Sequence, residues 1–209
     1  MRHIEKAEEP ASFTKWKEQG DENWDPGWAE FDGAPIKQTV KQALLQEQGY
    51  LCCYCEIRVD EEHGHIEHIH ARHSHPDLEL IYTNLLYCCP ETPRGQPTTC
   101  GHARGPNDPV PVSPLNVDCE ARFLYTEAGE MLPRDEDDAD TRETVRILNL
   151  NEPTLRRFRA GVYQEVADAQ QDFSTDEFRR WIDIELQRDE DERLKPFWAT
   201  KRYVAETIR

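Results

Sequence analysis

Most of the residues that could bind a metal or move a proton lie between residues 50 and 105. Six of the seven cysteines fall in the 49 residues from 52 to 100, and seven of the eight histidines fall in or just beyond that stretch. Thiolates and imidazoles are ligands that zinc and other transition metals prefer in proteins. Chance would rarely group them so closely, so we predict that any metal or acid–base chemistry of this chain is located here.

The cysteines indicate a zinc site. Cys52 and Cys55 have the C-x-x-C spacing of a zinc knuckle, in which a tight turn directs two thiolates at one ion. A tetrahedral site needs two more ligands, which Cys100 and either Cys88 or Cys89 would supply. We expect one of those two neighbours to point inward, because adjacent side chains face opposite ways in extended chain. The predicted set is Cys52, Cys55, Cys89 and Cys100, with Cys88 as the alternative to Cys89.

Other interpretations of the cysteines are weaker. Free cysteine is among the most buried residue types, so the same sulfurs could be reduced core residues. A redox-active C-x-x-C motif normally accompanies a βαβ pattern, which the sequence around residues 52–55 lacks. A cysteine nucleophile needs a matched base, and the sequence suggests none for Cys53 or Cys119.

A histidine-rich segment, HIEHIHARHSHPDLELIYTNLLYCC, occupies residues 65–89 between the two groups of cysteines. Glu67 and His68 are adjacent in it and are flanked by isoleucines, which favour a strand. Neighbours on a strand point to opposite faces. One short segment can therefore use a carboxylate to hold a hard cation such as Mg²⁺ and an imidazole to activate a water molecule. Asn84 lies near the end of the segment, and His102 follows Cys100.

Taken in order, the motifs C-x-x-C, EHI, NLLYCC and CGHARG resemble those of an HNH endonuclease, the ββα-metal class of nuclease, in its zinc-stapled form. They cover about a quarter of the chain. A wider likeness adds MRHIEK, VDCEARFLYTEAGE and LNLNEPTLR, and runs from Met1 to about residue 160. In this wider likeness the chain resembles the HNH proteins of Septu and retron-associated anti-phage systems, usually called PtuB. The chain departs from the common HNH pattern where ten residues separate Cys89 from Cys100 and Gly101 precedes His102.

The resemblance implies a role for four residues. His68 would be the general base that takes a proton from the attacking water. Glu67 and His102 would hold one Mg²⁺ or Mn²⁺ ion, which neutralises the charge that develops during phosphodiester hydrolysis. Asn84 would tie the loop between the strand and a following helix, and so orient His68. In that family the HNH protein acts with a partner ATPase, PtuA, as the effector of an anti-phage complex.

Three arginines in this region are candidate contacts to the phosphates of a nucleic acid, because guanidinium groups fork onto phosphate oxygens. They are Arg72, Arg94 and Arg104.

The charge of the chain limits how it could hold nucleic acid. Its formal net charge is −17 and its isoelectric point is near 4.8. Phosphate neutralisation supplies most nucleic-acid affinity, so strong binding by this chain alone is disfavoured. A partner that brings the substrate, or one whose basic face accepts the acidic surface, would reconcile this charge with a nuclease.

The sequence predicts neither a membrane span nor a signal peptide. No stretch approaches the roughly 20 apolar residues of a membrane-spanning helix. The first ten residues, MRHIEKAEEP, lack an apolar region of the kind that signal peptides carry. We therefore expect a cytoplasmic protein with reduced thiols.

The expected fold class is α+β, with a zinc-stapled ββα-metal HNH core, an N-terminal arm and a C-terminal helical subdomain. The predicted boundaries are an arm over 1–33, the core over 34–110, a hairpin and acidic linker over 111–140, and the helical subdomain over 141–209. Apolar spacing and capping residues predict helices near 10–18, 35–49, 141–148 and 153–171, and from 174 and 196 onward.

The main alternative function is a non-catalytic zinc module that docks on a partner protein. A zinc staple by itself needs no EHI segment between its ligand pairs, and this chain has one. The segment favours the nuclease.

Overall fold

The structure, a computed structural model, describes residues 1–22, 24–91, 95–105 and 108–208. The helices of this part of the chain are α1 (Ala11–Lys17), α2 (Trp28–Gly33), α3 (Ile36–Glu47), α4 (Cys100–Arg104), α5 (Cys119–Arg122), α6 (Ala139–Ile147), α7 (Pro153–Asp172), α8 (Thr175–Leu186) and α9 (Trp198–Thr207). The strands are β1 (His65–His68), β2 (Leu85–Cys88), β3 (Phe123–Tyr125) and β4 (Met131–Pro133). Within the described ranges, no helix combines the length and the apolar character needed to cross a membrane.

The strands form two small antiparallel sheets. β1 pairs with β2, with His65 opposite Cys88 and His68 opposite Leu85. β3 pairs with β4 around a tight turn, as the sequence pattern predicted. Helices and small sheets therefore coexist, which confirms the α+β class. In chain order, β1, β2 and the short helix α4 follow the knuckle that carries Cys52.

A buried glutamine joins the end of α3 to the β1–β2 hairpin. Gln48 donates to the carbonyls of Leu51 and Tyr87 at 2.7 Å, and its side-chain oxygen accepts from the N–H of Tyr87 at 2.7 Å. All four residues of β2 are buried. Because an isolated two-stranded hairpin is marginal in water, these contacts and the packing of α3 on β2 are what keep the hairpin in place.

The N-terminal arm is more ordered than the sequence indicated. The sequence predicted helices near 10–18 and 35–49 and none between them, but Trp28–Gly33 forms α2. Its Phe31 is fully buried, with its ring centroid 5.2 Å from that of Phe13 and 5.1 Å from that of Trp28. Six residues are too few for a stable isolated helix, so α2 owes its existence to this aromatic cluster, which a local pattern does not reveal.

The predicted C-terminal helices are present, and the start of the last one, α9, contacts the knuckle. Ser174 and Glu177 form the predicted capping box at the start of α8, where the N–H of Ser174 donates to the Glu177 carboxylate at 2.9 Å. At the start of α9, the N–H of Ala199 donates to the carboxylate of the buried Glu56 at 2.7 Å. The chain around the predicted zinc site is thus covered by residues from its far C-terminal part.

The acidic run at residues 134–140 was expected to be a solvated loop, but one member has a structural role. Asp138 is the N-cap of α6 and accepts from the N–H of Thr141 at 3.0 Å. Arg122 forks onto the same carboxylate at 2.9 and 2.6 Å. The hydrogen bond with the Arg122 guanidinium is the largest cause that holds the pKa of Asp138 well below its usual range.

Replacing Asp138 with alanine is expected to lower the free energy of unfolding by about 1–2 kcal/mol at pH 7, which is the usual cost of losing a helix cap. Because the folded-state pKa is depressed, this stabilisation is present above the unfolded value of about 3.9 and is lost as the pH falls below it. Urea denaturation of wild type and variant at pH 7 and pH 3 checks this. Glu136→Ala, which changes an exposed acid of the same run, is the control, and an equal loss at both pH values would contradict the prediction.

Candidate active site and zinc centre

Five cysteine sulfurs gather at one point in the interior. The Sγ atoms of Cys52, Cys88, Cys89 and Cys100 all lie within 4.8 Å of one another, and all four residues are buried. The Cys52 sulfur is 3.7 Å from that of Cys88 and 3.8 Å from that of Cys100. The thiol of Cys55 interacts with those of Cys100, Cys52 and Cys89, and these hydrogen bonds hold its pKa well above the usual value.

The spacing of the sulfurs fits a tetrahedral zinc ion. With Zn–S bonds of about 2.3 Å, two ligand sulfurs lie about 3.8 Å apart, which matches the distances from Cys52. The N–H of Gly101 donates to the Cys88 sulfur at 3.5 Å, a contact that favours a thiolate. A hydrogen bond from Cys100 is the main cause that lowers the pKa of Cys89 to about 5. The donor set is therefore one that zinc would bind.

The expectation that either Cys88 or Cys89 points inward, but not both, is wrong. β2 ends at Cys88, so the strict alternation of a strand does not extend to Cys89, and both sulfurs reach the cluster. Two sets of four zinc ligands are therefore possible. Both contain Cys52, Cys89 and Cys100, and the fourth member is Cys88 in the tighter group or Cys55 in the predicted set.

Three of the predicted site residues, Glu67, His68 and His102, border one groove of about 580 Å³ beside the sulfur cluster. Its lining includes His65, Glu67, His68, Arg72, His73, Gly101, His102 and Arg104. β1 and α4 contribute most of these side chains, and the loop that follows β1 contributes the others. The structure therefore brings Glu67, His68 and His102 to one place. Asn84 does not line this groove but borders a separate cavity with Ile69 and His70.

Glu67 is a buried carboxylate whose two oxygens face different partners. Its Oε1 accepts from the hydroxyl of Tyr54 at 3.3 Å and lies 3.2 Å from Nη1 of Arg104. Its Oε2 lies 3.3 Å from Nε2 of His65. Glu67 is 6% exposed, and burying a carboxylate costs free energy. The charge of Arg104 and the hydrogen bond from Tyr54 offset much of that cost. The Oε1 contacts fix the orientation of the carboxylate, and Oε2 is the oxygen available for a further partner.

His68 is held in a defined tautomer. Its Nε2 lies 3.0 Å from the carbonyl oxygen of Glu79, and since a carbonyl can only accept, Nε2 carries the proton. The lone pair is then on Nδ1. The ring of Trp28 crosses that of His68 edge-on at a centroid distance of 4.4 Å. Burial is the main cause that lowers the pKa of His68, so the imidazole stays neutral at physiological pH, as a proton acceptor must be.

Asn84 fastens the loop that carries the partner of His68. Its side-chain oxygen accepts from the N–H of His70 at 2.8 Å, and its amide donates to the carbonyls of His70 at 3.1 Å and Leu78 at 3.0 Å. This loop joins β1 to β2, whereas we had placed a helix after it. The same loop holds Glu79, whose carboxylate also accepts from the first N–H of α2, that of Trp28, at 2.8 Å.

The candidate phosphate-binding arginines differ in their surroundings. Arg104 is 6% exposed, and its guanidinium donates to the carbonyls of His68 at 2.7 Å and Ile69 at 3.0 Å. These contacts hold the end of β1 in place. Arg72 is exposed at the groove, with its Cζ atom 4.6 Å from the ring centroid of Trp28. Arg94 lies outside the residues that the structure describes.

His65 also belongs to this site, although its position in the sequence predicted no role for it. Its ring lies 4.4 Å from that of His102, measured between centroids, and its Nε2 faces Glu67. The signal was present in the H-x-E spacing, since residues two apart on a strand share a face. It was obscured by the number of histidines nearby.

Gly101 is required by the position of Glu67. A Cβ added at residue 101 would lie 2.4 Å from Oε2 of Glu67 and 2.8 Å from its carboxylate carbon. We expect Gly101→Ala to lower the free energy of unfolding by roughly 1–3 kcal/mol, as overpacking does. Gly161→Ala on α7 is the matched control, because its Cβ would meet nothing within 4 Å and alanine favours a helix. Urea denaturation measures the free energy of unfolding of both variants, and equal stabilities would contradict the prediction.

Comparison with known proteins gives the site a family context. No protein-family model matches the chain. One relative is a protein of Vibrio cholerae serotype O1 biovar El Tor that is provisionally named the HNH endonuclease of retron Vc95. This chain is 27% identical to it over 163 residues, and the match covers 75% of this chain and 78% of that protein. It is 29% identical over 124 residues to the Septu protein PtuB of Bacillus thuringiensis, covering 56% of this chain and 42% of PtuB.

A third relative is an Escherichia coli protein provisionally named the HNH endonuclease of retron Ec83. It is 30% identical over 99 residues, which cover 43% of this chain and 37% of that protein. The matched region is thus less than half the length of the Septu and Ec83 proteins. The likeness that the motifs indicated is confirmed: this chain is related to proteins named as HNH endonucleases of retrons and to the Septu protein PtuB.

Proposed function

We propose that this chain is a metal-dependent HNH endonuclease that hydrolyses phosphodiester bonds of nucleic acid. The observation that carries the proposal is the placement of His68, neutral and held by the Glu79 carbonyl, in the same groove as Glu67 and His102. A fixed base beside a buried carboxylate, next to a cluster of cysteines, is the arrangement that the ββα-metal resemblance implies. The names of the relatives support the same activity.

The residues of the groove have separate tasks in this proposal. His68 takes the proton of the attacking water on Nδ1, while its Nε2–H stays on the Glu79 carbonyl. Asn84 keeps that carbonyl in place through the loop. Arg72, exposed beside Trp28, binds a phosphate of the substrate. Arg104 aligns the end of β1 and balances the charge of Glu67.

Glu67 and His102 would hold the catalytic Mg²⁺ or Mn²⁺. When bound, the cation would neutralise the charge that develops on the scissile phosphate. The donors suit such an ion, because Oε2 of Glu67 lies beside a glycine that leaves room around it. Among the described residues, the sulfur cluster is the group in which three or more potential metal-ligand atoms already lie close together. His102 is exposed on α4, so a change of its rotamer can bring a nitrogen toward Glu67.

A bound zinc ion would have a structural task. Four protein thiolates would hold it, and a zinc site closed by four protein ligands is structural rather than catalytic. The thiolates would come from the knuckle, the end of β2 and the start of α4. Such an ion would fix the position of α4, and with it that of His102, against β1.

The acidic charge of the chain supports a role within a complex. At a net charge of −17, this chain is expected to bind nucleic acid weakly without a partner. We propose that a PtuA-like ATPase supplies the missing affinity and that the complex acts in anti-phage defence in the cytoplasm. The similarity to the Septu protein PtuB supports this part of the proposal.

Cleavage assays test the proposed function. The chain, with and without a PtuA-like ATPase, is incubated with plasmid DNA and with tRNA, with or without added Mg²⁺ or Mn²⁺. We expect cleavage that requires the cation. Arg72→Ala is expected to reduce cleavage at low substrate concentration by roughly tenfold, the value of one charge-assisted hydrogen bond.

Arg134→Ala is the matched control for Arg72→Ala. Arg134 is another exposed arginine over an aromatic ring, with its Cζ atom 5.4 Å from the ring centroid of Tyr203. It lies outside the groove. Equal effects of the two substitutions would remove Arg72 from the substrate site. Failure to cut either substrate, with the ATPase and both cations present, would favour the docking module instead.

A further inference from the structure

His65 is placed as a metal ligand would be. Its Nε2 is 3.3 Å from Oε2 of Glu67, the oxygen that Tyr54 and Arg104 leave available. Neighbouring ligands of an octahedral ion with bonds of about 2.1 Å lie about 3 Å apart. The observed separation therefore allows one cation to bind both atoms after a shift of a few tenths of an ångström.

A simple His–Glu hydrogen bond explains these contacts less well. The Nδ1 atom of His65 is buried and has no hydrogen-bond partner among the described residues, so no second protein group anchors the ring, and its Nε2 is the nitrogen directed at Oε2 of Glu67. Two other donors already hold Glu67, which does not need His65 to offset its charge. A second imidazole, that of His102, lies 4.4 Å away between ring centroids. Two imidazoles and a carboxylate at one end of a groove would form a metal-binding donor set once a change of rotamer turns a nitrogen of His102 toward Glu67.

We infer that His65 is a third protein ligand of the groove cation, together with Glu67 and His102, and that the site takes Mn²⁺ in preference to Mg²⁺. The inference deepens the proposed function and rests on it for the presence of a cation. Mg²⁺ binds few nitrogen ligands and keeps most of its water, whereas affinity for imidazole rises from Mn²⁺ onward along the first-row divalent metals. Each imidazole added to a single carboxylate thus moves the preference away from Mg²⁺.

Manganese binding tests this inference without reference to cleavage. The zinc-loaded chain is titrated with Mn²⁺, and free Mn²⁺ is measured by electron paramagnetic resonance. We expect one groove site in wild type and at least about tenfold weaker binding in His65→Ala. His73→Ala, which changes an exposed histidine of the same groove, is expected to bind as wild type does. Displacement of Mn²⁺ by Mg²⁺ should need at least about tenfold more Mg²⁺ in wild type than in His65→Asp, which keeps an oxygen donor.

The spin-echo modulation of bound Mn²⁺ counts its nitrogen ligands directly. We expect two directly bound imidazole nitrogens in wild type and one in His65→Ala, with zinc content and circular dichroism showing that the variant is folded. If His65→Ala does not fold, His65→Asp gives the same count of one. Equal nitrogen counts in wild type and variant, or no Mn²⁺ binding by wild type, would overturn the inference. Binding as expected without cleavage of DNA or RNA would instead overturn the proposed function and leave the ligand assignment standing.

Discussion

Replacing Cys52 with serine is expected to abolish zinc binding and to unfold the chain. Cys52 belongs to both possible ligand sets, and its sulfur lies 3.7 and 3.8 Å from those of Cys88 and Cys100. Structural zinc sites contribute on the order of 10–16 kcal/mol to folding, which is comparable with the entire stability of a typical domain, about 5–15 kcal/mol. The elements that meet at the sulfurs are a four-residue strand and a five-residue helix, and neither is stable alone.

Zinc content per chain and the circular dichroism melting curve measure this effect. Cys119→Ser is the matched control, because Cys119 is also fully buried but donates toward the carbonyl oxygens of Met1 and Pro114, away from the cluster. We expect it to keep its zinc. A Cys52→Ser protein that retains one zinc and a cooperative melt would show that the sulfur cluster is not a zinc site.

The same measurement decides the fourth ligand. Cys88 belongs to the group of sulfurs that are mutually within 4.8 Å, and it accepts the N–H of Gly101. We therefore expect Cys88→Ser to lose zinc and Cys55→Ser to keep it. The reverse result would restore the set predicted from the C-x-x-C spacing.

Replacing His68 with alanine is expected to lower the cleavage rate by roughly 10²–10⁴-fold, the usual contribution of a positioned general base. The Glu79 carbonyl fixes the proton on Nε2, and burial keeps the ring neutral. No other histidine with this combination was found among the residues that the structure describes. The fold should survive, because zinc and the β1–β2 pairing do not involve the imidazole.

Single-turnover cleavage at saturating substrate, in the presence of the proposed PtuA-like ATPase, measures the effect on chemistry rather than on binding. His73→Ala is the control, because His73 lines the same groove but is exposed, and its cleavage rate is expected to equal that of wild type. Zinc content and Mn²⁺ binding should be unchanged in His68→Ala. A cleavage rate within threefold of wild type (an arbitrary limit, about 0.7 kcal/mol) would remove His68 from the mechanism.

Much of the local structure was determined by the sequence alone. Helices such as α3, α7 and α8 follow from apolar spacing and from capping residues such as Ser174, because a helix is stabilised by neighbours three and four residues apart. The β3–β4 hairpin follows from its turn residues in the same way. The relationship to HNH proteins was also legible in the order of short motifs, which depends on which residues occur and not on their contacts.

The arrangement of the site was decided by tertiary structure. The partner of His68 is the carbonyl of Glu79, which is eleven residues away, and a carbonyl oxygen has no sequence signature since every residue carries one. Cys88 and Cys89 both reach the sulfur cluster because the strand ends between them. Helix α2 depends on the burial of Phe31 against Phe13. Residue types and spacing therefore indicated which residues could bind a metal or move a proton, whereas the directions of side chains depend on long-range packing, which a linear pattern does not contain.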